Sequence, residues 1–193
     1  MWDVFLNPLE LTAVLTGIIS AVFSWKRNIN TYFFGLISVV ISIWLCFKAG
    51  IYADMAINVF YFGMSIYGWM NWHKAIKKEK KFIPLFLNKK NQFYFVALTL
   101  LFWLMIFFVL TCFTDSNIPV ADSFTTACFI TGMILMALKY TENWIYLIAG
   151  NVVSIPLYFY KELYVYAFFF VILILFGCLG YVSWRNHFKT NTP

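Results

Sequence analysis

Of the chain's 193 residues, 63% are hydrophobic, 22% aromatic and only 11% charged. A soluble domain carries about 45–50% apolar and about 25% charged residues, so the composition excludes a soluble globular domain and predicts an all-α polytopic membrane protein. The net charge of +6 is no nucleic-acid signal, because the basic residues gather at the ends of apolar runs.

Seven apolar segments follow in order, over about residues 9–25, 32–47, 51–72, 93–113, 120–138, 143–160 and 163–184. A bilayer core asks for roughly 20 apolar residues per helix, with about 17 as the lower limit, so the first segment is short. Short polar breaks separate the segments, among them Lys26-Arg27-Asn28, Lys139-Tyr140-Thr141-Glu142 and Lys161-Glu162. The N-terminus carries Asp3 and Glu10 rather than a basic stretch, so no secretory signal is expected. Asp122 with Ser123 is expected to cap the fifth helix. Cys46, Cys112, Cys128 and Cys178 stand singly in apolar runs and read as small hydrophobes; no metal or cofactor is expected.

Twelve of the fourteen Lys and Arg residues follow odd-numbered segments. The positive-inside rule then predicts the N-terminus outside and the C-terminus in the cytoplasm. The run from Lys74 to Lys90 reads as a topology anchor that attracts anionic lipid and is otherwise featureless.

The chain repeats itself. Lys26, Asn30 and Lys48 match Lys139, Asn143 and Lys161 at an offset of 113, whereas Tyr52, Gly68 and Trp72 match Tyr164, Gly180 and Trp184 at 112. Two three-helix units joined directly would be inverted; one further span between them makes them parallel. The fourth segment is the most featureless, as a connector would be. The expected architecture is a parallel 3+1+3 repeat in a single membrane domain: a first bundle over 9–72, a linker helix over 93–113 and a second bundle over 120–184.

A substrate site is expected near the midplane between such units. On the third segment Asn58, Tyr61, Ser65 and Trp69 recur at helical spacing. On the sixth, Trp144, Asn151 and Tyr158 are seven apart and Ser154 joins their face. The second segment offers Ser38, read as the counterpart of Asn151, and Ser42. An unpaired amide in a bilayer costs several kcal/mol, so Asn58 and Asn151 must face protein, water or solute; substrate binding and interhelical packing serve equally. Pro156, whose counterpart is read as Ile43, donates nothing to the Val152 carbonyl. Amides, hydroxyls and aromatic planes without a central fixed charge suit a neutral or cationic, ring-bearing, hydroxylated solute. Trp2, Trp25, Trp72, Trp184, Tyr160 and Tyr164 read instead as interfacial belt residues. No acidic residue lies mid-membrane, which favours uncoupled diffusion. Two histidines at helix ends, with no nucleophile motif and no Gly-rich loop, argue against an enzyme.

These residues carry a resemblance. Glu142-Asn143-Trp144, the run Gly150-Asn151-Val152-Val153-Ser154-Ile155-Pro156-Leu157-Tyr158-Phe159-Tyr160-Lys161, the following Leu163-Tyr164 and the Tyr67-Gly68-Trp69-x-x-Trp72 exit are similar to the PnuC family of bacterial vitamin transporters, over essentially the whole chain. The resemblance implies a SWEET-like fold in the bacterial inner membrane, a homotrimer, and uptake of a small cationic vitamin by facilitated diffusion. In that family a cytosolic kinase traps the vitamin by phosphorylation. Nicotinamide riboside is the expected solute. Thiamine on the same fold, or a vitamin-binding subunit needing a partner ATPase, are the alternatives; no nucleic acid is expected.

Overall fold

A computed structural model describes residues 8–50, 52–114, 117–160, 162 and 164–191. Those residues form seven helices: α1 (Pro8–Trp25), α2 (Asn30–Ala49), α3 (Tyr52–Glu79), α4 (Lys89–Phe113), α5 (Pro119–Ala137), α6 (Asn143–Tyr160) and α7 (Tyr164–Asn191). The protein is an all-α, multi-pass membrane protein. Five helices are long and apolar enough by themselves to cross a bilayer; α3 and α6 carry the Asn, Ser, Tyr and Trp residues that lower their hydropathy. Trp2 and Lys161 lie outside the described residues. The helices outrun the apolar segments at several ends, because Lys-rich ends such as Lys74–Glu79 still satisfy the helical hydrogen bonds. The fifth begins at Pro119, with Ile118 at the N-cap position and no side-chain capping bond, so Asp122 sits inside the first turn rather than at the cap. Pro at the first position loses no bond, since its N–H would be orphaned there anyway.

The chain divides into two compact units, Met1–Phe82 and Ile83–Pro193. In the first unit small residues bring α1 and α2 together. A Cβ on Gly35 would lie 3.2 Å from Ser20 Oγ, and one on Gly17 3.4 Å from Ser38 Oγ. The Ser20 hydroxyl donates to the Thr31 carbonyl at 2.7 Å, and the Thr31 hydroxyl returns the bond to the Ser20 carbonyl at 3.0 Å. Such close backbone approach, fixed by hydroxyls, replaces the hydrophobic drive that lipid does not supply. α2 meets α3 where Tyr32 lies on Gly68 and turns its edge to Trp72, ring centroids 5.0 Å apart at 85°.

In the second unit α4 packs on α5 through Phe95, Leu87 and Leu135 and through the Thr99–Thr131 hydroxyl pair at 2.9 Å. The fourth segment is thus a packed partner of α5 as well as a connector. α5 meets α6 where Phe129 lies on Gly150 and Leu147 on Gly132. α6 meets α7 where Ile148 lies on Gly177 and Trp144 on Gly180.

The segment ahead of α4 is not featureless. Leu85 N–H donates to the Lys139 carbonyl and Thr141 N–H to the Leu85 carbonyl, both at 2.8 Å, and Leu87 N–H donates to Glu142 Oε1 at 3.0 Å. An extended strap therefore lies along the α5–α6 turn. It satisfies backbone groups that a Lys-rich run alone would leave to water.

The two units build the same turn. Arg27 N–H bonds the Ser24 carbonyl and Asn28 N–H the Phe23 carbonyl; 112 residues later Lys139 N–H bonds the Met136 carbonyl and Tyr140 N–H the Leu135 carbonyl. Arg27 and Lys139 both take positive φ, 57° and 68°, and Gly50 and Glu162 do likewise at 71° and 60°. Tyr32, Gly68 and Trp72 recur as Trp144, Gly180 and Trp184. One offset of 112 therefore replaces the 113 read for Lys26–Lys139 and Asn30–Asn143. In this register the counterpart of Ser38 is Gly150, that of Asn151 is Val39 and that of Pro156 is Trp44 rather than Ile43.

A further correction concerns the tryptophans. Trp72 and Trp184 are 0% exposed, each edge-on to the ring that sits on the neighbouring glycine, so they plug the bundles rather than line an interface. Tyr160 and Tyr164 are exposed.

Candidate functional site

Helix α6 gathers the polar groups of the second unit. It starts straight from the α5–α6 turn: Asn143 N–H bonds the Tyr140 carbonyl and Trp144 N–H the Thr141 carbonyl. It then runs unbroken past Pro156 to Tyr160. Asn151 is 4% exposed, and among the described residues its amide makes no hydrogen bond. Ser154, one turn on, donates its hydroxyl to the Gly150 carbonyl at 2.9 Å and so keeps its oxygen as an acceptor. Tyr158 turns toward α7, edge-on to Phe170 with centroids 4.9 Å apart. Trp144 belongs to the same helix face by count but is 3% exposed and pressed on Gly180 against Trp184. Its ring is committed to packing, and its indole Nε1–H is sealed without a partner.

In the first unit the hydroxyl of Ser38 donates to the Ala13 carbonyl at 2.8 Å and that of Ser42 to the Ser38 carbonyl at 2.9 Å. Both therefore offer lone pairs only. Asn58 donates to the Asp54 carbonyl at 2.9 Å, which leaves its amide oxygen to accept. Ser65 is buried, Asn58 and Tyr61 are half-buried and Trp69 is 43% exposed. The four residues lie along one side of α3, with exposure varying from buried at Ser65 to exposed at Trp69.

Two phenylalanines join the α6 group that sequence reasoning did not single out. Phe129 of α5 lies on Gly150, beside Asn151 in the chain, and Phe170 of α7 touches Tyr158. With 23 phenylalanines in the sequence, and Phe170 inside the run Phe168-Phe169-Phe170, no local signal separates these two from lipid-facing neighbours.

At the head of α6, Glu142 is buried and its second carboxylate oxygen, Oε2, is sealed without a partner. Burial raises its carboxyl above the usual range, while the bond from Leu87 N–H opposes the shift. Thr141 Oγ1 and Asn143 Oδ1 are sealed likewise. Among the described residues no three His, Cys, Asp or Glu side chains are placed to hold a metal ion.

This frame of helices is shared by known proteins. The profile of the nicotinamide mononucleotide transporter family matches residues 7–186. The chain belongs to this family. The nicotinamide riboside transporter PnuC of Escherichia coli is 26% identical over 94% of this chain and 86% of its own length. The PnuC transporter of Neisseria mucosa is 25% identical over 96% of this chain and 76% of its own, and that of Haemophilus influenzae 23% identical over 94% and 80%. A crystal structure of the vitamin B3 transporter PnuC superposes with a TM-score of 0.74, covering 95% of this chain and 83% of that one at 24% identity. That likeness fixes the fold. As a PnuC-family protein the chain is a membrane transporter, not an enzyme.

Proposed function

We propose that the protein carries nicotinamide riboside into the cell by facilitated diffusion, with trapping by a cytosolic kinase that adds a phosphate. The observation that carries this reading is the likeness, over 94% of the chain, to a transporter of that riboside. The chemistry of α6 agrees: an amide with no hydrogen bond among the described residues, a hydroxyl acceptor and a tyrosine suit a ribose and a pyridinium ring. A mononucleotide fits less well. Among the described residues every Lys and Arg lies within two turns of a helix end or in a connection, so a phosphate dianion at mid-membrane would have none of these cations beside it. Asn151, Ser154 and Tyr158 would bind substrate, with Asn58, Tyr61, Ser65, Trp69, Ser38 and Ser42 as the wider set; Trp144, pressed on Gly180, serves packing instead. The parallel arrangement of the repeats, an outside N-terminus, a cytoplasmic C-terminus and a homotrimer complete the proposal.

The test is titration of the purified protein with nicotinamide riboside, nicotinamide mononucleotide and thiamine, followed by tryptophan fluorescence. Saturable binding of the riboside alone supports the proposal. Binding of thiamine alone changes the vitamin and keeps the site. Preference for the mononucleotide would overturn the charge argument.

A further inference from the structure

The strap ahead of α4 clasps the head of α6. Over residues 82–88 it has no helix of its own. Leu85 lies against Tyr140 as a parallel backbone bridge, and Leu87 N–H reaches Glu142 Oε1 at 3.0 Å. Phe86 turns edge-on to Phe188 of α7, with centroids 4.8 Å apart at 62°. Leu87 also forms an apolar cluster with Phe95 and Leu135, which fixes the strap to α4 and α5. The turn and α6 meet that cluster with Tyr140 and Tyr146, both half-buried.

At this clasp three successive residues hold polar atoms that are sealed without a partner: Thr141 Oγ1, Glu142 Oε2 and Asn143 Oδ1. Thr141 and Asn143 are fully buried and Glu142 more than nine-tenths. A buried donor or acceptor without a partner costs more than an ordinary hydrogen bond returns. The turn does not demand this. At the offset of 112 the first unit has Ile29, Asn30 and Thr31 in these places. Ile29 has no polar side chain, Asn30 is exposed and the Thr31 hydroxyl donates to the Ser20 carbonyl, yet the same turn forms. In the second unit, among the described residues, the strap meets the turn and α6 through the N–H bonds of Leu85, Leu87 and Thr141. Sealed acceptors beside so slight a contact describe a joint that water is ready to enter.

We propose that this joint is a gate: the head of α6 parts from the strap during transport, and water then reaches Thr141 Oγ1, Glu142 Oε2 and Asn143 Oδ1. The inference rests on the transport reading above. The strap stays with α4 and α5 through Leu87, so α6 is the partner that moves. Trp144, pressed on Gly180 against Trp184, takes α7 along. Closed, the clasp holds the head of the helix that carries Asn151, Ser154 and Tyr158. Open, it lets that helix shift and release what it has bound.

Leu85→Cys together with Tyr140→Cys tests the gate, because bridged backbones stand within the Cα separation that a disulfide spans. The full-length protein carries the pair with Cys46, Cys112, Cys128 and Cys178 replaced by alanine. Uptake of nicotinamide riboside into liposomes is read before and after oxidation. Oxidation should slow uptake by about tenfold or more, with reductant restoring it and the cysteine-free parent unmoved. Oxidised protein that transports like its reduced form overturns the gate and leaves the transport reading intact. If the double variant fails to fold, hydrogen exchange on the parent protein decides. The amides of Leu85, Leu87 and Thr141 should exchange faster than that of Leu135 within α5, by about tenfold or more; equal protection overturns the gate. A parent protein that takes up no riboside overturns both readings.

Discussion

An alanine at position 180 would set its Cβ 2.4 Å from Cε2 and Cζ2 of Trp144 and 2.7 Å from Cδ2. Relaxed carbon contacts lie at about 3.5–4.0 Å, so the ring must retreat by roughly 1 Å. It has nowhere to go. Trp144 is 3% exposed, and Trp184, itself 0% exposed, stands edge-on to it at 5.7 Å and 88°. Overpacking of this kind costs about 1–3 kcal/mol, which for a chain of this size lowers the melting temperature by about 2–12 °C. The assay is the fraction of protein still eluting as a sharp peak after heating in detergent. Trp144→Leu removes the indole atoms that collide, so the double variant should melt close to Trp144→Leu alone, with a coupling of about 0.5–3 kcal/mol. Gly63→Ala is the control, since nothing lies within 4 Å of its Cβ. If Gly180→Ala melts with the parent, or the two changes simply add, Trp144 is not held where the structure puts it.

Gly68→Ala should behave in the same way, because its Cβ would meet the Tyr32 ring at 2.5 Å; Tyr32→Leu should relieve it in the same heating assay. Trp72→Ala should destabilise by about 3–5 kcal/mol, whereas Tyr160→Ala at an exposed position should shift melting little; equal effects would return Trp72 to the interfacial belt. Glu142, at the head of α6, has its carboxyl raised above the usual carboxylate range in the folded protein, chiefly by burial. The folded state therefore holds the proton more tightly than the unfolded one. That stability is fully present below the unfolded pKa of about 4.3 and is lost as pH rises through the folded value. Melting should fall over that window, and Glu142→Gln, permanently neutral, should flatten the profile; an unchanged slope assigns the dependence elsewhere. Asn151→Leu should abolish riboside binding while elution volume and melting persist, and retained affinity would make Asn151 a packing residue.

The sequence alone determined the class of protein, the number of helices and their breaks, because hydropathy records whether a stretch avoids water, and Lys-Arg-Asn or Lys-Glu does not. It also marked α6 as polar, since an asparagine in an apolar run is conspicuous wherever the helix lies. The tertiary structure decided what each apolar or aromatic residue touches. In lipid an interhelical face and a lipid-facing surface are equally apolar, so composition could not tell buried Trp72 and Trp184 from exposed Tyr160, nor Phe129 and Phe170 from their neighbours. The repeat register was out of reach for a related reason. Identities such as Lys26–Lys139 compete on equal terms in the sequence, whereas the backbone allows one positive-φ residue per turn, and Arg27 and Lys139 occupy it. The strap was hidden because Leu85 and Leu87 bind through their backbones, and backbone hydrogen bonds leave no mark on which side chain the sequence carries.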